Sequence, residues 1–240
     1  MQNQTITKLN QMKLYGIVRA YEVLLTNRSS QSMTNDELVN YLVQSEWDDR
    51  QNKKLQNLIK TAKFRYQACT EEVNCNTERN LDRNTFLRLA SCDFIEKKEN
   101  IIITGATGVG KSHIASALGN QACFMGYKTV YYNLSKLLSS LKMRRSDNTY
   151  IKEIEKIARQ DLLILDDFGL AKLDTQNRLD LLEIIEDRYG KSATIVTSQL
   201  PISKWHDVID DSTIADAVLD RLVHNAYRLE LKGASLRKKI

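Results

Sequence analysis

Residues 101–112 read Ile-Ile-Ile-Thr-Gly-Ala-Thr-Gly-Val-Gly-Lys-Ser, a β-branched run that leads directly into the pattern G-x-x-x-x-G-K-S. Glycines in such a loop let backbone N–H groups approach phosphate oxygens closely, where side chains would obstruct them. The pattern therefore predicts a nucleotide site in which Lys111 reaches the β- and γ-phosphates and Ser112 offers its hydroxyl to Mg²⁺. The predicted nucleotide contacts are Gly105, Ala106, Thr107, Gly108, Val109, Gly110, Lys111, Ser112 and His113.

A second motif lies at residues 162–167, where the apolar run Leu-Leu-Ile-Leu ends in Asp166 and Asp167. Behind a phosphate-binding loop, this pattern predicts that Asp166 holds Mg²⁺ and that Asp167 orients or deprotonates the attacking water. The alternative is a strand that simply ends in a polar turn. The presence of Lys111 upstream favours the functional interpretation.

Two further positions are candidates with an ordinary structural alternative. The run at residues 193–198 is followed by Gln199, and Ser198 or Gln199 could sense the γ-phosphate, with Thr197 also left open. Strand ends carry polar residues in any case, so this pattern alone decides nothing. Arg221 lies late in an amphipathic stretch, where it could project into the nucleotide site of a neighbouring subunit or form a surface ion pair.

The order of the predicted elements indicates the fold class. Apolar strand patterns occur at 101–104, 129–133, 162–166, 193–198 and 227–231, and helical patterns separate them. This alternation predicts an α/β domain with a mostly parallel five-stranded sheet flanked by helices. Only nine residues follow the last predicted strand, so we expect little or no carboxy-terminal helical lid.

The first part of the chain is expected to be helical, because residues 1–104 contain one glycine and no proline. Thr34 and Glu37 have the spacing of a capping box that opens one helix, and an apolar stripe over 55–66 indicates a further one. A polar stretch without periodicity follows. We therefore expect a helical partner-binding domain over 1–69, a linker over 70–80 and the α/β domain over 81–240.

Charge and composition permit a nucleic-acid partner without requiring one. The net charge is +5, and basic clusters that could contact a DNA backbone include Lys142, Arg144, Arg145, Lys238 and Lys239. A solvated basic surface is the plain alternative. No signal segment and no apolar run of about 20 residues is present, so we expect a soluble cytoplasmic protein that does not interact with membranes.

Several segments taken together resemble the IstB-like transposition helper ATPases. These are the phosphate loop from Gly105, Asp-Leu-Leu-Ile-Leu-Asp-Asp-Phe-Gly at 161–169, Thr-Ile-Val-Thr-Ser-Gln-Leu-Pro at 194–201, and Leu-Asp-Arg-Leu-Val-His-Asn-Ala at 219–226. The similarity extends to Ala-Lys-Phe-Arg at 62–65 and covers essentially the whole chain. Generic phosphate-loop proteins share only the first of these segments.

The resemblance implies an AAA+ ATPase of the replication-initiator and helicase-loader branch, preceded by a helical domain that engages an IstA-type transposase. Such proteins use ATP and Mg²⁺ to form homo-oligomers on duplex DNA. The assembly remodels target DNA and recruits or regulates the transposase, and hydrolysis drives disassembly or progression.

Matching positions carry over the family's roles. Lys111, Ser112, Asp166 and Asp167 form the catalytic set, Ser198 or Gln199 is the sensor, and Arg221 is the arginine that acts in trans. Arg237 falls where a second sensor is expected. One departure is that Asp167 stands where most AAA+ proteins carry glutamate, which predicts slow hydrolysis.

Three rival functions remain. A helicase loader of the same branch would bind a replicative helicase, and a small-molecule kinase would turn over ATP without DNA and would need an acceptor site and a lid. The third rival is a scaffold that binds ATP without hydrolysing it. GTPase activity is disfavoured because no N-K-x-D segment follows the loop.

Overall fold

The structure is a computed structural model that describes residues 2–27 and 33–236. The chain divides into two compact units, residues 1–57 and 58–240. The first unit contains helices α1 (Gln2–Gln11) and α2 (Tyr15–Asn27) and most of α3 (Asn35–Ala62). The division falls inside helix α3.

Helix α3 confirms one prediction and corrects another. The capping box is present, since the Thr34 N–H donates to Glu37 Oε2 at 2.8 Å and the Glu37 N–H donates to Thr34 Oγ1 at 3.3 Å. The two helices predicted over this part are a single helix of 28 residues. Its polar middle contains no glycine or proline to break it, and pairs such as Asp49–Lys53 at i,i+4 support it.

The second unit contains the five-stranded sheet. Its strands are β1 (Asn100–Gly105), β2 (Thr129–Asn133), β3 (Leu162–Phe168), β4 (Ala193–Ser198) and β5 (Ala226–Leu231). The strand order is β2-β3-β4-β1-β5, and all four pairings are parallel. The predicted fold class is therefore confirmed. The predicted strand bounds agree to within one or two residues at each end.

Helices cover both faces of this sheet, as parallel sheets require. In the second unit they are α4 (Arg83–Ala90), α5 (Asp93–Glu96), α6 (Lys111–Phe124), α7 (Leu134–Ser146), α8 (Tyr150–Ala158), α9 (Thr175–Arg188), α10 (Trp205–Ile209) and α11 (Ser212–Val223). One apolar core lies between the sheet and α7, α8, α9 and α11, and the other lies beneath α4, α5 and α6. Strands β1, β3 and β4 are buried on both faces, which explains their continuous apolar runs.

The segment predicted to be a linker, 70–80, has structure of its own. It contains two short 3₁₀ helices, Thr70–Glu72 and Thr77–Arg79, and groups with the second unit. Arg79 is buried and donates from Nη2 to the carbonyl of Val109 at 2.8 Å, which ties this segment to the phosphate loop. The compact second unit thus begins earlier than residue 81. The assignment of 1–69 to partner binding stays a prediction.

Within the described ranges, no helix is both long and apolar enough to cross a membrane.

Candidate functional site

The predicted motifs meet at the carboxyl ends of β1, β3 and β4, where open α/β sheets place their ligands. A cavity of about 360 Å³ lies there. Its lining consists of loop residues together with side chains from the segments before and after the sheet: Tyr66, Glu72, Val73, Asn74, Arg79, Thr107, Gly108, Gly110, Lys111, Ser112, His113, Ile114, Asp167, Gln199 and Leu236.

The phosphate loop depends on glycine at specific positions. Gly105 has φ +145°, and a Cβ there would lie 2.4 Å from the backbone oxygen of Leu231. Gly110, with φ +97°, directly precedes helix α6, so the amino terminus of that helix faces the loop. The Lys111 ammonium donates to the carbonyls of Gly105 and Ala106 at 2.7 and 2.8 Å. The Lys111 side chain therefore lies over the phosphate loop, with its ammonium group at the loop carbonyls.

Asp166 is fully buried and hydrogen-bonded at both carboxylate oxygens. Ser112 Oγ donates to Oδ1 at 2.7 Å, Thr197 Oγ1 donates to the same oxygen, and the Tyr131 hydroxyl donates to Oδ2. Burial and the hydrogen bond to Asp166 raise the pKa of Tyr131, so the phenol stays protonated and remains a donor. This network fixes the carboxylate beside the phosphate loop.

A bulge in strand β3 sets the direction of the Asp167 side chain. The β3–β4 register shifts between Leu165 and Phe168, and Asp167 has φ +63°, a left-handed conformation that is uncommon outside glycine. The Asp167 N–H donates to Thr197 Oγ1 at 3.1 Å, and Asn133 Nδ2 donates to Asp167 Oδ2 at 3.0 Å. The bulge brings two adjacent carboxylates to the same site, whereas a regular strand would direct them to opposite faces.

Arg65 joins the two carboxylates, and the residue-by-residue reading of the sequence did not identify it. Its Nη1 lies 3.1 Å from Asp166 Oδ2 and 3.1 Å from Asp167 Oδ2. Burial is the largest single influence and opposes the charge of the guanidinium. The hydrogen bond to Asp166 and the interactions with Tyr66 and Tyr131 together outweigh burial and raise the pKa of Arg65. The only available signal was the Ala-Lys-Phe-Arg segment at 62–65, which contributed to the family resemblance.

The sensor candidates occupy three different environments. Ser198 is buried, and its hydroxyl donates to the Phe168 carbonyl at 2.7 Å. Gln199 lines the cavity, and its Oε1 accepts from Thr107 Oγ1 of the phosphate loop at 2.7 Å. Thr197 Oγ1 donates to Asp166 Oδ1 and accepts from the Asp167 N–H. Gln199 is therefore the candidate best placed to contact a nucleotide, and its sensor role stays a prediction.

Arg221 lies at the amino end of the strands, opposite the cavity. Asn100, the first residue of β1, donates from Nδ2 to the Arg221 carbonyl at 3.1 Å. The Arg221 guanidinium donates to Glu186 Oε1 at 2.9 Å and lies 5.9 Å from the Tyr189 ring centroid. The arginine thus makes the surface ion pair considered as its alternative. It cannot reach the nucleotide site of its own chain, which is consistent with action in trans.

The other predicted contacts are distributed unevenly. The His113 ring lies 6.1 Å from the Tyr66 ring at the cavity wall, and the Leu236 N–H donates to the Gly108 carbonyl at 2.8 Å. Gly105, Ala106 and Val109 belong to the loop but do not line the cavity. Arg237, Lys238 and Lys239 lie outside the described residues.

The basic residues of helix α7 have partners inside the chain. Arg144 pairs with Glu153 at 3.4 Å, and Arg145 pairs with the buried Asp180. Lys142 is exposed. A DNA phosphate would have to compete with the carboxylates of the two arginines, and contact with DNA stays a prediction.

The side chains fit the expected magnesium ion. Ser112 Oγ and Asp166 Oδ1 are hard oxygen donors 2.7 Å apart, and Asp167 adds a second carboxylate. Mg²⁺ in phosphoryl-transfer sites takes one or two protein oxygens and completes its shell with phosphate and water. Among the described residues, no group of three or more His, Cys, Asp or Glu side chains is assembled as a metal site.

The fold and this site define a phosphate-loop AAA+ module. The chain belongs to the family described as IstB-like ATP binding protein, whose model matches residues 7–240. It is 44% identical over 234 residues to an insertion-sequence ATP-binding protein, y4pL, of Sinorhizobium fredii, covering 98% of this chain and 96% of that one. It is 42% identical over 204 residues to the IS1162 ATP-binding protein of Pseudomonas fluorescens, covering 85% and 88%.

A solved structure shares the fold at lower identity. The DnaC helicase loader aligns with a TM-score of 0.59 and 21% identity, covering 71% of this chain and all of that one. This likeness concerns the fold alone. The predicted family and fold are therefore both confirmed.

Proposed function

We propose that this protein is an ATP-hydrolysing transposition helper that assembles on duplex DNA and recruits or regulates a partner transposase. The nucleotide part of the proposal is carried by one cavity that Lys111, Ser112 and Asp167 line, with the buried Asp166 hydrogen-bonded to Ser112. The insertion-sequence relatives support the biological part, since they are named for ATP binding and for mobile elements.

The residues of the cavity have separate tasks in ATP binding. Loop N–H groups and the start of helix α6 receive the phosphates, and Lys111 exchanges its two carbonyl acceptors for phosphate oxygens. Ser112 and Asp166 would hold Mg²⁺, which neutralises charge on the phosphoryl oxygens. The adenosine portion would lie against the remaining lining, which includes Tyr66 and Val73.

Hydrolysis requires a group that orients and deprotonates water. Asp167 lines the cavity next to Asp166, so we assign it this task. Arg221 of a neighbouring copy would stabilise the charge that develops on the transferred phosphoryl group, because its position excludes it from the site of its own chain. If two copies complete each site, ATP turnover depends on assembly. Hydrolysis would then occur only in the DNA-bound oligomer.

The direct test measures the size of the wild-type protein by analytical ultracentrifugation with and without ATP and duplex DNA. We expect large assemblies only when both are present. A protein that turns over ATP as a monomer without DNA would indicate a kinase. If calorimetry detected no ATP binding by the folded protein, the whole proposal would be wrong.

The partner is tested separately by pull-down. We expect retention of an IstA-type transposase and no retention of a replicative helicase. The opposite result would assign the chain to the helicase loaders, whose fold it shares.

A further inference from the structure

The carboxylates of Asp166 and Asp167 pose an electrostatic problem that Arg65 resolves. Adjacent carboxylates repel each other, and Asp166 is fully buried, where an uncompensated charge is costly. A single nitrogen of Arg65 lies 3.1 Å from one oxygen of each carboxylate. One cation therefore holds both anions at a fixed separation.

The contacts divide the oxygens of Asp167 into two kinds. Arg65 and Asn133 both donate to Oδ2, at 3.1 and 3.0 Å. In the part of the chain that the structure describes, both side-chain donors to this carboxylate use that oxygen, so Oδ1 is the one left for a water molecule. Arg65 and Asn133 thereby set the rotation of the carboxylate about its own axis.

Arg65 itself is held from both sides along the chain. Lys63 has φ +56°, which ends helix α3 and turns the chain. The Phe64 ring packs so closely on helix α6 that a Cβ at Gly119 would lie 2.6 Å from it. Asn120 Nδ2 donates to the Ala68 carbonyl at 3.1 Å. A side chain carried by an anchored segment can position a catalytic group with little reorganisation.

We propose that Arg65 is a positioning residue for ATP hydrolysis, holding Asp167 with one oxygen directed to the attacking water. This inference rests on the proposed function. It gives Arg65 no direct contact with the nucleotide, because its ion pairs are with the carboxylates and it does not itself line the cavity. Its guanidinium carbon lies 5.6 Å from the ring centroid of Tyr66, which does line the cavity, and Arg65→Gln leaves that ring in place. Its loss should therefore affect turnover and leave ATP affinity in place.

The test compares Arg65→Gln with wild type by steady-state ATP turnover and by calorimetric ATP binding. We expect kcat to fall by about tenfold to a hundredfold, as for a displaced catalytic group. The Kd for ATP should stay within about threefold of wild type, since the residues that contact bound ATP are unchanged. Lys63→Gln is the matched control: it removes one positive charge from an exposed side chain two residues away, and both quantities should be unchanged.

The outcomes separate this inference from the proposed function. Turnover of Arg65→Gln within about twofold of wild type would overturn the positioning role. A parallel loss of ATP affinity and turnover would overturn it as well, since that is the result of general damage to the site. If Arg65→Gln does not fold, Arg65→Lys, which keeps the cation, is judged by the same two quantities. A wild-type protein that neither binds nor hydrolyses ATP would instead contradict the proposed function.

Discussion

Charged side chains make different kinds of contact at the two ends of the sheet. At the carboxyl end, Lys111 and Asp167 line a cavity, and the buried Asp166 accepts a hydrogen bond from Ser112, which also lines it. The Lys111 ammonium contacts backbone carbonyls that phosphate oxygens can replace. At the amino end, Arg188 is buried and donates to the carbonyls of Ile157, Gln160 and Ala193, and burial lowers its pKa to about 10. Charge at one end is arranged to receive a ligand, whereas at the other end it joins elements of the fold.

Arg221 is the exception at the amino end. Its partner is Glu186, whose side chain is 57% exposed, so the pair lies at the surface and can be exchanged for another anion at little cost. Arg188 has no such freedom. The comparison therefore singles out Arg221 as the amino-end arginine that could serve a neighbouring copy.

The largest effect is expected at the carboxyl end, from Lys111→Ala. The lysine is the only side-chain cation that the phosphate-loop motif supplies to the β- and γ-phosphates. We expect calorimetry to detect no ATP binding and gel-shift assays to show no ATP-dependent retention on duplex DNA. Retention equal to that of wild type would contradict the assignment of the loop.

Asp167→Asn should separate binding from hydrolysis. The amide is nearly isosteric and can still occupy the bulge, but it cannot accept a proton from water. We expect ATP binding close to that of wild type, a loss of phosphate release of about a hundredfold or more, and longer-lived assemblies on DNA. Phosphate release at the wild-type rate would show that another group activates the water.

The sequence predicts the carboxyl end well because its motifs are contiguous. Residues 101–112 and 162–167 each fix a strand, a turn and the chemistry of the side chains that follow. It could not identify Arg65, which meets Asp166 across 101 positions of sequence, nor the bulge that gives Asp167 its left-handed conformation. Both depend on tertiary contacts that no local pattern encodes.

Helix α3 shows the reverse error. The capping box at Thr34 and the apolar stripe over 55–66 indicate two helices, yet the residues between them contain no glycine or proline that would break a single helix. The predicted linker fails for a related reason: its polar residues include Arg79, whose partner, the Val109 carbonyl, lies in the phosphate loop. Polarity alone does not distinguish a connection from a packed segment whose hydrogen bonds are satisfied elsewhere.

A smaller effect tests the amino end. Arg221→Ala and Asp167→Asn are each expected to be defective alone, but mixing them creates interfaces in which an intact Asp167 faces an intact Arg221. In an equal random mixture about a quarter of the interfaces are of this kind, so part of the turnover should return. Analytical ultracentrifugation must show that the variants co-assemble. Given co-assembly, an absence of recovery at every mixing ratio would argue against a shared site.

The smallest effect is expected from Glu186→Gln, which removes the carboxylate that holds Arg221 in the isolated chain. The free energy of unfolding should change by less than about 1 kcal/mol, because exposed ion pairs contribute little. In the assembly, an arginine without this competing anion reaches the neighbouring site at lower cost, so turnover should stay at the wild-type level or rise by up to about twofold. Asp187→Asn is the neighbouring control for loss of one negative charge. A marked fall in turnover with Glu186→Gln alone would mean that the pair orients Arg221 for catalysis, and the contrast drawn with Arg188 would then be wrong.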